Sequence, residues 1–258
     1  SKGIVPNSEL DKTTLNFNGS TKISDKIQIN SSVNFSITDG YNRPAVGYSG
    51  NSVILQFFQF GQTQLDYDRL KNYVLSDGTQ RTWNRTAFDN PVPRFTDNPY
   101  WILNNNIAKD RRTRFYGNIG LKYDLNDDLF FTAKVYGDSY DSRISTQIAE
   151  GSQSQSLYTE ANRDFLELNY EFILNYKKTL FGDKISLDAF VGANRRDNKF
   201  FSLQGNTNGG LAVPNIYNLE NSNSSATILD YDEKKRVNST FGSVSLGYDS
   251  FAYLTVTG

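Results

Sequence analysis

The 258 residues contain no histidine, no cysteine and no methionine. An imidazole base, a thiol nucleophile, a disulfide and a Cys/His zinc site are therefore all excluded. The chemistry left to the chain is that of carboxylates and aromatic rings. The densest charged run is DYDEKK, Asp230 to Lys235. Its carboxylate oxygens suit calcium, but it lacks spaced ligands around a glycine turn, so it reads as a solvated charge run. No other carboxylate constellation points at a substrate. The sequence thus assigns no catalytic residue, no metal ligand and no cofactor, and the protein is expected not to be an enzyme. Trp83, Tyr100 and Trp101 are the candidate contact residues. Aromatic faces stack on sugar rings, and Trp and Tyr dominate hot spots at protein interfaces. The plainer reading of these three is packing within a loop or an interfacial girdle.

Net charge is −1, which gives no electrostatic case for nucleic acid. Apolar residues make up 37%, too few for a conventional dry core, yet aromatics reach 14%, too many for a disordered chain. No run approaches the roughly 20 apolar residues of a spanning helix.

The elements that must position these residues show a period of two. In TKISDKIQINSSVNFSI, Ile27, Ile29, Val33, Phe35 and Ile37 alternate with Gln28, Asn30, Asn34 and Ser36. In FLELNYEFILNY, Leu166, Leu168, Tyr170, Phe172 and Leu174 alternate with Glu167, Asn169, Glu171 and Asn175, with Ile173 the exception. Eight such segments are predicted as strands with one apolar face. They pair through short turns at Ser24-Asp25-Lys26, Asn126-Asp127-Asp128, Phe181-Gly182-Asp183 and Asp249-Ser250. The other connections are long, spanning about 39–111, 142–161 and 198–234. Short turns at one end, long loops at the other and strands of about 10 residues predict a transmembrane antiparallel β-barrel, apolar outside and polar inside. Tyr123, Tyr176 and Tyr248 before the short turns, with Phe130, Phe131 and Phe251 after them, are expected to form its girdle. In the first long loop, Asp66 as N-cap and Gly78 as stop predict a short helix around Leu70, Tyr73 and Val74.

Several stretches resemble the SusC/RagA family of TonB-linked outer-membrane proteins from Bacteroidetes. GIVPNSEL (Gly3 to Leu10) looks like the segment after the family's plug. QLDYDRLKNY followed by GTQRTWN resembles its first large extracellular loop. DNPYW followed by RTRFYGNIGLKYDL resembles the entry to the next strand, and AYLTVTG a later one. The resemblance implies a 22-stranded barrel of which about eight strands are present. The plug and remaining strands then lie outside residues 1–258, and the chain is expected to be a segment of a longer protein. It further implies a bacterial outer-membrane location and uptake of oligosaccharides or peptides. The implied partners are a SusD-like surface lipoprotein, a TonB complex acting through the plug, outer-membrane lipid and the glycan or peptide itself. Asn118, Lys134, Glu167, Asn169, Glu171 and Asp188 would face the lumen. A small eight-stranded anchor or adhesin barrel is the alternative. Its packed interior fits poorly with the small Asn, Ser and Gly residues on the inner face.

Overall fold

The computed structural model describes residues 1–182, 184–249 and 251–258. Eight strands run in chain order: β1 (Glu9–Ser24), β2 (Ile27–Tyr41), β3 (Ala108–Asp124), β4 (Leu129–Ile148), β5 (Leu157–Leu180), β6 (Ile185–Leu211), β7 (Ser222–Tyr248) and β8 (Ala252–Thr257). They form one antiparallel sheet in the order β1 to β8. Among the described residues β1 and β8 do not pair, so the sheet is an open wall rather than a closed eight-stranded barrel. The turns expected at Phe181-Gly182-Asp183 and Asp249-Ser250 each include a residue, Asp183 or Ser250, outside the described ones.

The register carries the alternation from strand to strand, because residues directly opposite each other share a face. Leu15, Phe35 and Phe115 form one row on the outer face. Tyr123, Phe131, Leu174 and Val191 form another. The inner face carries Lys134, Glu171 and Asn194 in one row, and Asn118, Tyr136 and Asn169 in the next. The residues expected in the lumen therefore do share one face. Phe131 stands beside Tyr123 on the outer face at 5.5 Å, as a girdle requires. Phe130 points to the other face, under the ammonium of Lys122, and leaves the girdle.

The strands are far longer than the expected 10 residues. β5 has 24, and β6 and β7 have 27 each. The connections expected over 142–161 and 198–234 shrink to 149–156 and 212–221. The reason is physical. Beyond the height of the bilayer both faces of a strand are wet, so the hydropathy period vanishes while the backbone ladder continues. The first loop, 42–107, has nearly its expected length. Among the described residues no helix is long and apolar enough to cross a membrane. A single sheet has no dry layer of its own. The buried apolar cluster of Val5, Val53, Ile102 and Leu103, with Phe57 and Tyr100 against it, lies in the loop region.

Candidate functional site

The first loop is an ordered body built on three short helices. In α1 (Val53–Phe58), the Ser52 hydroxyl accepts from the Leu55 amide at the N-cap. In α2 (Tyr67–Lys71), the Asp66 carboxylate accepts from the amides of Asp68 and Arg69. In α3 (Pro99–Asn105), the Asn98 side-chain Oδ1 accepts from the Tyr100 amide, with Pro99 in the first turn. Each cap satisfies amides that a helix start otherwise leaves orphaned. Asp66 is the cap the sequence predicts, but α2 stops at Lys71. Gly78 instead sits at φ +82° in the turn between bridge partners Val74 and Gln80.

A buried polar network ties the loop together. Asn98 is fully buried and satisfied. Its amide donates to the Gln80 side-chain carbonyl at 2.9 Å, and its side chain donates to the carbonyls of Leu70 at 3.0 Å and Arg81 at 2.8 Å. Gln80 donates to the Asp97 carboxylate at 2.7 Å and to the Gly151 carbonyl at 2.8 Å. The Gln153 amide donates to the same carboxylate at 2.6 Å. Asn106 accepts from the Ala149 amide at 2.9 Å and the Ser152 hydroxyl at 3.1 Å. The 149–156 turn is thus clamped onto the first loop. At the other side, the side chains of Asn7 and Asn42 both donate to the Leu103 carbonyl, and Val5 enters the loop core. Gly3 to Leu10 therefore lies at the loop end of the sheet, and β1 descends from it. Burial pushes the Asp97 carboxyl above its ordinary value, against the donors from Gln80, Gln153 and Asn106 that favour its charge. Among the described residues no buried side-chain polar atom is left without a partner.

The three predicted contact residues part company here. Trp101 is buried, donates its indole N–H to the Ser152 hydroxyl at 2.9 Å and meets Tyr73 edge-on. Tyr100 packs against Phe57 beside the apolar cluster. Trp101 serves the loop's own packing, while Tyr100 packs on one side and stays half-buried. Trp83 is half-buried and belongs to neither group. The exposed aromatics are others, namely Tyr48, Phe58, Phe88 and Phe95, which composition does not separate from buried rings. Gln80, Asp97, Asn98 and Asn106 also escape sequence reasoning. One signal for them exists: Asn98 followed by Pro99 is a helix-start signature.

On the inner face, a groove of about 550 Å³ is lined by Asn34, Tyr116, Asn118, Tyr136, Glu167, Asn169 and Glu171, among others. Above it, the Arg114 guanidinium grips the Asp138 carboxylate with two donors, Nε at 2.8 Å and Nη2 at 2.5 Å. Asn194 donates to Asn169 at 2.5 Å, and Asn198 to Glu167 at 3.2 Å. The wall can thus offer carboxylates, amides and tyrosines to a polar solute. The DYDEKK run is split by strand alternation, with Asp232 facing out beside Lys234 while Glu233 faces in. Among the described residues, no three acidic side chains gather where a metal could bind.

An open antiparallel sheet, apolar outside and polar inside, with short turns below and an ordered loop above, is a wall segment of an outer-membrane-type β-barrel. Comparison with solved structures agrees. The chain is similar to the RagAB peptide transporter, with a TM-score of 0.70 and 14% identity over 97% of this chain and 27% of that chain. It is also similar to the RagAB peptide importer in its closed-closed state (TM-score 0.65, 12% identity) and its open-open state (0.66, 13%), with the same shares covered. At such identities the likeness is one of fold. The chain spans about a quarter of the length of these structures. No protein-family profile and no curated protein matches the sequence.

Proposed function

We propose that this chain is part of the barrel wall of a SusC-like, TonB-dependent outer-membrane transporter that imports peptides or oligosaccharides with a SusD-like surface lipoprotein. The observation that carries the reading is the match of nearly the whole open sheet to a quarter of a peptide transporter's chain. A wall that is apolar outside, and lined inside by Glu167, Asn169 and Glu171, supports passage of a polar solute past it. The similar fits to the closed-closed and open-open importer suit a wall that holds its fold while other parts move. The first loop, with Trp83 half-buried and Phe58 and Phe88 exposed, is the proposed seat of the lipoprotein. The protein's work in this reading is transport rather than bond chemistry.

The test is uptake of fluorescent peptides and oligosaccharides by cells making the full-length protein, with and without collapse of the proton-motive force. Energy-dependent uptake of one solute class is expected. Uptake indifferent to energy would sink the transporter reading. So would recovery of residues 1–258 as a stable, heat-modifiable eight-stranded monomer, because both free edges of this sheet leave backbone groups unsatisfied in lipid.

A further inference from the structure

The outer face changes character at a definite height. On β6 it is apolar through Val191 and Ala193, then turns to Arg195, Asp197 and Lys199. Arg195 lies about ten residues above Ile185. At about 3.3 Å per residue and a tilt of about 45°, that is roughly 23 Å, the top of an apolar band about 25 Å tall. The first outward charges on the other strands differ in sign. They are Asp11 on β1, Asp39 facing Arg111 on β2 and β3, and Asp141 facing Asp164 on β4 and β5. Cations gather on β6 and β7, where Arg195, Lys199, Lys234 and Arg236 stand against Asp197 and Asp232.

Asp197 lies between two arginines. Its carboxylate accepts from Arg195 Nε at 2.8 Å and from Arg236 Nε at 2.5 Å. Each guanidinium has five N–H donors. Among the described residues the remaining donors on both are unused, and the side chains are 49% and 58% exposed. Beside them a groove of about 630 Å³ opens on the outer face, walled by Tyr170, Phe172, Ala193 and Thr240. A largely apolar trough with Arg195 and Asp197 at one end, and Arg236 bonded to Asp197 beyond it, complements an amphiphile with an anionic head.

We propose that this outer face of β6 and β7 docks a phosphorylated outer-leaflet lipid, its phosphate on Arg195 and Arg236 and an acyl chain in the groove. The site rests on the proposed placement of this chain in an outer-membrane barrel. Both guanidiniums bond Asp197 through Nε, which leaves their Nη donors for an anion, and arginine is suited to phosphate recognition.

The full-length protein, extracted in mild detergent, is titrated with monophosphoryl lipid A and with the same lipid dephosphorylated, and bound lipid is counted by native mass spectrometry. Folding is followed by heat-modifiable mobility. Wild type is expected to retain the phosphorylated lipid about tenfold better, a difference one or two charge-assisted contacts supply. R195Q/R236Q removes that preference, R195K/R236K keeps part of it, and D197N keeps or raises it. Inorganic phosphate does not compete. Unchanged retention in R195Q/R236Q overturns the site. So does a fall in D197N equal to that of R195Q/R236Q, which would mark a merely structural triad, and so does full competition by inorganic phosphate. Failure of wild type to enter lipid at all would instead sink the barrel placement itself.

Discussion

Gln80 and Asp97 meet at 2.7 Å inside a surface loop, at 2% and 4% exposure. This buried carboxylate has only neutral donors, and among the described residues no cation pairs with it, so the loss of hydration outweighs the hydrogen bonds that favour its charge. Burial accordingly raises its pKa. A carboxyl whose folded pKa is raised contributes stability that is fully present below its unfolded pKa and lost as pH rises through the folded one. The clamp between the first loop and 149–156 should therefore resist protease better below the ordinary carboxyl pKa of about 4 than at neutrality. D97N should keep the Oδ1 acceptor and abolish that pH dependence. D97A strands the Gln80 amide and the Gln153 N–H, at about 1–3 kcal/mol each, and should open the loop to cleavage at every pH. Limited proteolysis across pH distinguishes the three, and equal curves for wild type and D97N would refute the assignment.

The register makes a sharper claim about lipid. Leu174 is on the outer face between Phe131 and Val191, while Asn169 is on the inner face and accepts from Asn194. Arginine on the lipid face costs up to about 2–4 kcal/mol at the midplane, less toward the girdle, and far less again in a wet lumen. L174R should therefore impair assembly of the full-length barrel, scored by heat-modifiable mobility, and N169R should not. Equal damage from both would mean the faces are assigned wrongly.

What was legible followed from where a strand meets two different solvents. Leu166 to Leu174 alternate because lipid lies on one side and water on the other. From Asp230 to Asn238 both sides are wet, so β7 continues with no hydropathy period to announce it. The helices fail to show for another reason. VILQFF in α1 is a short apolar run with no period at all, and α3 has too few turns to display one. Only the caps speak, and of these Asp66 is read correctly. The network of Gln80, Asp97 and Asn106 joins residues far apart in sequence to a turn at 149–156, a relation that local pattern does not encode.

Two glycines on one outward row separate close packing from simple absence of a side chain. Gly117 and Gly137 face each other across β3 and β4. A Cβ on Gly137 would meet only Leu168 Cδ2, at an ordinary 3.6 Å. A Cβ on Gly117 would lie 2.1 Å from the Ser32 carbonyl oxygen, a backbone atom that cannot swing aside. G137A should be neutral or slightly stabilising, since alanine is less flexible in the unfolded chain. G117A should cost about 1–3 kcal/mol through forced backbone shifts. The check is the urea midpoint of the refolded full-length barrel, and a G117A midpoint equal to that of G137A would contradict the β2–β3 geometry.

The two tryptophans of the first loop offer the test that reaches furthest into function. Trp101 is inside, 6% exposed, bonded to Ser152 and stacked edge-on with Tyr73. Gly151 lies against the indole, where a Cβ would make only ordinary contact at 3.5 Å, but its φ of +84° is one that other residues rarely adopt. Truncating so buried a ring costs about 3–5 kcal/mol. W101A should therefore loosen the loop, speed its proteolysis and weaken lipoprotein co-purification indirectly, through loss of shape. Trp83 is half-buried and outside both the apolar cluster and the aromatic pairs. W83A should leave the protease pattern of the loop unchanged. If Trp83 is a direct contact, W83A should still lower recovery of the lipoprotein, since a hot-spot aromatic carries about 2 kcal/mol or more. S152A serves as the internal control, losing only the indole hydrogen bond at about 1 kcal/mol. Pull-down and proteolysis measured on the same preparations separate the two roles. Were W83A to loosen the loop as W101A does, or to leave lipoprotein recovery untouched, Trp83 would be a packing residue and the partner would have to seat elsewhere, on rings such as Phe58 or Phe88.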